Sequence, residues 1–415
     1  MRALAIAQNN ERPVDWQLRQ FFKSNPGLGR RDRGLIAETL FDVLRNRRLY
    51  LHLAQGGSGP IERRLMLLAW SWPSRTVSAN PMAELDDLER QWLTRVLGVA
   101  PSTLPPAVAL SVPDWFHERV CAAQGASVTY AILQALLKPA PLDLRVNTSK
   151  VKRDEALKAL ADAGIVARAL SLLPSAIRVE GKPALETTAP FEAGWVEVQD
   201  AGSQVLTYLV SPKRGQIVVD FCAGAGGKAL ALAAMMKDSG QVFACDVSLS
   251  RLQKMRPRLV RAGLSNIQPF AIDDENDPKL KRLAAKADLV LVDAPCSGSG
   301  TLRRNPDLKW RWKESDIAEL HAKQTRILEA AARLVKPGGA LVYATCSLLD
   351  EENEAVCAKF EHSHPQWISE SAPEILLQAG VDLSGDEHLL TSRYLKLRPD
   401  LQATDGFFAA RWRRA

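Results

Sequence analysis

Two periodicities divide the chain. Over the first 140 residues apolar side chains recur at helical spacing. Leu35, Ile36, Leu40, Val43 and Leu44 share one face of a helix predicted over 33–48, with Asp32 placed to cap it. An apolar-rich helix is predicted over 61–70, entered after the breaker Gly56-Gly57-Ser58-Gly59-Pro60. Connectors rich in Pro and Ser are expected at 72–80 and 100–106, with helices resuming over 82–97 and 126–137. Pro139 and Pro141 mark a boundary, beyond which a strand (142–146), a helix (153–163) and a strand (176–179) form a small βαβ-like unit ending near Gly194. From about Gln199 strand and helix alternate, the signature of a doubly wound parallel sheet. Its strands are predicted at 217–221, 241–245, 267–271, 289–292 and 340–344, and its helices at 227–237, 249–262 and 316–334. The expected fold is therefore α/β: an all-α region over 1–140, a small α+β unit over 141–198 and a doubly wound domain over 199–415.

The composition of the 415 residues, 46% hydrophobic and 24% charged, is that of a globular chain and excludes disordered or collagen-like classes. Apolar runs such as 65–70 and 229–236 fall far short of the ~18 residues that span a bilayer. Residues 4–7 are too short for a secretory core. A cytoplasmic, monomeric protein with no membrane partner is expected. The formal net charge is +7, and residues 1–75 alone hold 13 Lys and Arg against 6 Asp and Glu. The other 340 residues balance. A surplus confined to one end suits contact with a polyanion through counterion release, or else an Arg-rich, well-solvated helical surface.

Cysteines stand at 121, 222, 245, 296, 346 and 357, with no C-x-x-C and no spaced His pair, so neither a zinc site nor any other metal site is expected. Cys121, Cys245 and Cys357 read as small buried hydrophobes.

Val218–Lys228 reads as strand, glycine-rich turn and helix start, where bare amides at a helix N-terminus can meet a ligand. It is neither a P-loop nor a dinucleotide fingerprint. Asp246 ends the second strand, Asp273-Asp274 follow the third and Asp293 ends the fourth. Asp246 and Asp273 taken singly are also good turn formers. As a set, acidic residues along the carboxyl edge of a sheet fit an adenosine ligand without pyrophosphate, S-adenosylmethionine rather than NAD.

Cys296 and Cys346 each leave a strand end into polar loops, and the two strands should be neighbours. A thiol pair beside a methyl donor has a defined use. Thiolate addition at carbon 6 of a pyrimidine activates carbon 5 for methylation, and Asp293 can hydrogen-bond the ring as charge shifts. Arg303, Arg304, Asn305 and Lys309, with Trp310 and Trp312, follow the Cys296 loop. They suit an RNA strand whose target base is extruded, or else a solvated loop with core tryptophans. Asp316 and Glu319 read as a helix cap pair.

The run from Asp293-Ala-Pro-Cys-Ser-Gly-Ser-Gly to Lys309-Trp310, together with Thr345-Cys346-Ser347, resembles the RsmB/Sun/NSUN family of RNA cytosine-5 methyltransferases. The likeness extends from Leu144-Arg-Val-Asn-Thr148 through Gln199-Asp-Ala-Gly-Ser203 to Asp405-Gly-Phe-Phe408. It implies a class I methyltransferase sheet, Cys346 as nucleophile and Cys296 assisting product release. It also implies S-adenosylmethionine contacts from Cys222, Ala223, Gly224, Ala225, Gly226, Gly227, Lys228, Asp246, Asp273 and Asp293. RNA contacts are implied at Arg145 and Asn147. Ala225 and Ala229 depart from the family's Pro and Thr. Residues 142–198 look like the family's RRM-like extension, and the basic helix entry at Gly29–Arg33 resembles a NusB-like domain. The expected function is methylation of RNA, ribosomal RNA first. The alternatives are a tRNA methyltransferase of the same chemistry and a non-catalytic assembly factor.

Overall fold

A computed structural model describes residues 1–8, 12–73, 77, 85–384 and 386–415. The chain divides into two compact units, Met1–Pro139 with Thr301–Glu314, and Ala140–Gly300 with Ser315–Ala415.

The first unit is helical. The helix predicted over 33–48 is two, Arg30–Arg45 and Arg47–Leu53, broken at Asn46. Its cap is Gly29 rather than Asp32: the Asp32 carboxylate, one turn in, accepts the Gly29 N–H at 3.1 Å. Leu40, Val43 and Leu44 enter a core with Leu49, Leu65 and Trp92, whereas Leu35 stays exposed. Ile61–Ser71 and Ala126–Leu136 match the expected helices. The helix expected over 82–97 is seen from Asp87 to Leu97, capped by Asp86, while 82–84 lie outside the described residues.

The segment after the Cys296 loop is part of this unit. Lys309 is buried and its ammonium donates to the Arg45 carbonyl at 2.7 Å. The Trp310 indole donates to the Leu44 carbonyl at 2.6 Å, and Trp312 packs on Phe116 with ring centroids 4.9 Å apart. Burial holds Lys309 well below its ordinary pKa, with Arg45 adding to the effect. Lys309 is thus a core donor and not a solvated RNA contact. Arg303 is half-buried and donates to the Pro139 carbonyl at 3.0 Å.

In the second unit β1 (Leu142–Val146), β2 (Ala167–Ala169), β3 (Ala176–Val179) and β4 (Val196–Val198) form an antiparallel sheet in the order β2-β3-β1-β4. The βαβ-like expectation fails because β1 and β3 pair antiparallel, with the two short strands at the edges unseen in the sequence. Leu144, Val146, Leu160, Ile177 and Val196 fill the core under the helix Arg153–Asp162.

The larger sheet contains β5 (Ile217–Asp220), β6 (Gln241–Asp246), β7 (Ile267–Ala271), β8 (Ala287–Asp293), β9 (Val335–Thr345), β10 (Trp367–Glu370), β11 (Leu395–Leu397) and β12 (Phe407–Arg414). Its order is β10-β12-β9-β8-β5-β6-β7, with β11 beside β12. β5 to β9 pair in parallel, as the alternation of strand and helix predicts. Strand side chains alternate between two cores: Leu289, Leu291, Val342 and Ala344 face one, Val290, Val292, Leu341 and Tyr343 the other. Helices Ala201–Val210 and Gly227–Met235 supply the first core and Asp316–Ala332 the second, so both faces are covered. Ser315, not Asp316, caps that last helix, and its side chain makes no capping bond. Cys245 and Cys357 are buried as expected, while Cys121 is half-buried. Among the described residues no helix is long and apolar enough to cross a membrane.

Truncating Trp310 removes apolar volume and an indole bond from the helical core. Trp310→Ala is expected to destabilise that core by roughly 2–3 kcal/mol, read as a lower thermal midpoint in calorimetry.

Candidate active site

The carboxyl ends of β5, β6, β8 and β9 open on a cleft of about 860 Å³. That volume suits a nucleoside-sized ligand. The cleft is lined by the 222–228 loop, Asp246, Asp273, Asp293, Cys296 and Cys346, so the structure gathers every expected cofactor-loop position and both thiols except Gly226.

Gly226 stands behind the loop instead. Its φ is +82°, and a Cβ there would lie 2.5 Å from Met255 Cγ, so only glycine lets the turn close against the helix Leu249–Ala262. The Asp246 carboxylate accepts the Gly224 N–H and the Ser248 N–H, both at 2.7 Å, which draws the β5 and β6 loops together. Asp246 is therefore a turn former as well as a lining residue. Arg258 donates to the Ala225 carbonyl at 2.6 Å. Asp273 sits at the rim, its side chain 91% exposed and 3.8 Å from the Lys279 ammonium. Cys222 lines the cleft, yet burial pushes its thiol well above the ordinary value.

Arg145 and Asn147 do not face solvent. Arg145 donates to Gln199 Oε1 at 2.6 Å and to the Gly227 carbonyl at 2.8 Å. Asn147 donates to the carbonyls of Gly194 (3.2 Å) and Ala262 (2.9 Å). Burial lowers the Arg145 pKa to about 10, with Glu197 opposing the drop. Arg145 ties the small sheet to the cofactor loop and Asn147 ties it to the end of the helix Leu249–Ala262, so internal ties stand where RNA contacts were expected. Gln199 and Ser203, the two ends of a stretch that carries the family likeness, also line the cleft, a placement not expected for them.

Lys228 and Asp293 form an ion pair at 2.6 Å on the cleft wall. Burial works against the Lys228 charge, but the Asp293 carboxylate outweighs it and the ammonium is held above its ordinary pKa. Asp220, fully buried at the end of β5, has neither carboxylate oxygen in hydrogen-bond geometry, the Ala229 amide lending weak support. Burial first, and the Asp293 charge second, raise its pKa to about 7. The Sγ atoms of Cys296 and Cys346 are 3.3 Å apart. The contact with Cys346, then burial, push the Cys296 thiol well above its ordinary value. Among the described residues no group of three or more His, Cys, Asp or Glu could hold a metal ion.

A family profile described as 16S rRNA methyltransferase RsmB/F matches residues 207–413, and the family's ferredoxin-like domain matches 112–186. A relative named as a probable ribosomal RNA small subunit methyltransferase B, from Synechocystis sp., is 37% identical over 74% of this chain and 67% of its own length. The chain belongs to the RsmB/F methyltransferase family. Other curated members of the family are spanned over 51% to 66% of their lengths. The crystal structure of PH0851 superposes with a TM-score of 0.77 at 26% identity, covering 99% of this chain and 96% of that one. A methyltransferase homolog protein from Pyrococcus horikoshii gives a TM-score of 0.63 at 30% identity, covering 76% of this chain and all of its own.

Glu352, Gln324 and Ser347 surround the thiol loops and were missed. Glu352 lies in the run Asp350-Glu-Glu-Asn-Glu354, where nothing local distinguishes a buried acid from a solvated one.

A carboxyl whose pKa is higher in the folded chain than in the unfolded one binds more protons folded. Stability should therefore fall as pH rises from about 4 to about 7, the value reached by Asp220. Asp220→Asn is expected to remove that decline, worth up to roughly 4 kcal/mol, in ligand-free thermal melts across this range.

Proposed function

We propose that the chain is an S-adenosylmethionine-dependent RNA cytosine-5 methyltransferase acting on ribosomal RNA. The observation that carries this reading is the pair of thiols 3.3 Å apart, beside the Lys228–Asp293 ion pair in one cleft. Family membership and relatives named as ribosomal RNA small subunit methyltransferases support the RNA class.

The residues present fit the cofactor. The loop 222–228 offers its backbone at a helix start, Asp246 and Asp273 offer acceptors, and the cleft has room for a nucleoside. When bound, S-adenosylmethionine supplies the methyl group that carbon 5 of the activated ring takes up. The protein's own groups do the rest. Cys346, deprotonated, forms a bond from sulfur to carbon 6 of an extruded cytosine. Asp293 accepts from the exocyclic amine, and the Lys228 ammonium beside it stabilises the electrons moving into the ring. The carbon 5 proton then passes to water, its electron pair reforms the double bond between carbons 5 and 6, and the sulfur–carbon bond breaks to return Cys346 as the thiolate that began the cycle. Cys296, its sulfur 3.3 Å from that of Cys346, stands where its thiol can hydrogen-bond the departing thiolate and so assist release. The cationic excess of residues 1–75 is assigned to RNA docking, with Arg303, Arg304 and Asn305 as further contacts.

Cys346→Ala is expected to abolish transfer of a tritiated methyl group to RNA. Cys296→Ala is expected to accumulate a covalent RNA adduct that survives a denaturing gel. Normal turnover by Cys346→Ala would overturn the mechanism. Because Lys309 is buried, Lys309→Met should leave the salt dependence of RNA binding unchanged, whereas losing a phosphate contact would lower the slope by about 1.

A further inference from the structure

The residue immediately after each thiol is tied to one buried carboxyl group. Glu352 has no exposed surface. Its Oε1 accepts the Ser297 N–H at 2.8 Å and the Gln324 side-chain amide at 3.0 Å, and its Oε2 accepts the Ser347 hydroxyl. The same Gln324 amide donates to the Pro295 carbonyl at 3.0 Å, on the other side of Cys296. The Tyr343 hydroxyl donates to the Glu352 carbonyl at 2.6 Å, anchoring the backbone that carries the carboxyl group. Asn353, next in sequence, donates to the Ser347 carbonyl at 3.0 Å and accepts from the Thr345 hydroxyl, so it brackets Cys346. The hydroxyls of Ser297 and Ser347 meet at 3.2 Å.

These bonds do what the sheet does not. Ladder pairing of β8 with β9 ends at Asp293 opposite Ala344, and one more bond, Ala294 N–H to the Ala344 carbonyl at 2.9 Å, extends it. Beyond that point the two loops carry the thiols without strand hydrogen bonds between them. The Gly300 N–H to Cys346 carbonyl bond (2.8 Å) and the Glu352 cluster join them again. The hydrogen-bond donors to the carboxyl group are a backbone amide, a side-chain amide and a hydroxyl, none of them charged. A buried carboxyl so held costs desolvation that only a complete set of hydrogen bonds offsets, and an apolar side chain of similar size would pack more cheaply. Its place at the join of the two loops supplies the reason for it.

We infer that Glu352 is a positioning residue for the two-thiol chemistry, clamping the backbone beside Cys296 and Cys346 so that both sulfurs keep one contact distance. The inference rests on the covalent reading given above. Its geometric part, the spacing of the sulfurs, is measurable apart from methyl transfer.

The test uses the full chain. Diamide converts two adjacent thiols to a disulfide, both thiol hydrogens passing to the diazene as it becomes a hydrazine. The rate of Cys296–Cys346 bond formation therefore reads their proximity, with Cys296→Ala as the control and peptide mass mapping as the detector. Glu352→Ala is expected to slow this cross-link at least about tenfold and to lower kcat for methyl transfer about 100-fold, with KM for S-adenosylmethionine within about threefold of wild type. Glu352→Gln, which keeps the volume and one acceptor, should bring cross-linking back to within about threefold of wild type. Wild-type cross-linking by Glu352→Ala, or a KM rising in step with the fall in kcat, overturns the inference. If Glu352→Ala does not fold, Ser347→Ala decides: removing one hydroxyl should slow cross-linking about threefold or more, and an unchanged rate overturns the clamp. Should Cys346→Ala retain transfer, the covalent reading fails while the cross-linking rates still report on the spacing.

Discussion

Parallel pairing of β8 with β9 sets Asp293 opposite Ala344, and so delivers Cys296 and Cys346, three and two residues further along, to the same end of the sheet. Side chains on a strand alternate faces, so a slip of one residue would exchange the two cores on which this sheet rests. Leu289 and Leu291 would trade places with Val290 and Val292. The register is therefore fixed by apolar packing on both faces, far from the reacting atoms. The chemistry inherits a precision that it does not itself supply.

Charge in the cleft follows a related economy. Asp220, Lys228, Asp246 and Asp293 approach one another at the strand ends, where burial makes each charge expensive. The Lys228–Asp293 pair resolves part of that cost by direct contact. Asp246 resolves its share by accepting two backbone amides, which also shapes the loop. Asp220 has only the weak support of the Ala229 amide, and burial with the Asp293 charge raises its pKa to about 7. One site thus holds a charged pair, a turn-forming carboxylate and a carboxyl poised near neutrality, distinguished by their partners alone.

Much of this was legible in the sequence, for identifiable reasons. Strands of a covered parallel sheet are unbroken apolar runs, so Val218–Val219 and Leu289–Val292 announce themselves between glycines and aspartates. The Pro-Cys and Thr-Cys-Ser motifs marked the thiols. The C-terminal strands escaped because β12 contains Arg411, which reads as a break. In the fold its guanidinium caps the Leu209 and Val210 carbonyls at 2.9 and 2.8 Å and pairs with Glu370. Arg145, Asn147 and Lys309 were misplaced for the same reason. Each is a polar side chain whose partners are backbone carbonyls distant in sequence, and nothing local separates such a residue from a solvated one. Glu352 adds the converse case, a buried acid hidden in an acidic run.

Thr301–Glu314 completes the helical unit, yet the ribosome makes it long after the helices it joins. With elongation at roughly 5–20 residues per second, about 9–35 s separate the emergence of Pro139 from that of Glu314. During that interval the Leu44 and Arg45 carbonyls have neither Trp310 nor Lys309 to receive, and apolar surface meant for Trp310 faces water. Residues 1–139, made well before Thr301–Glu314, are in this sense among the last to finish folding. A nascent chain stalled anywhere in the intervening stretch would present an unfinished core to chaperones, until synthesis of a segment that begins five residues past Cys296 closes it.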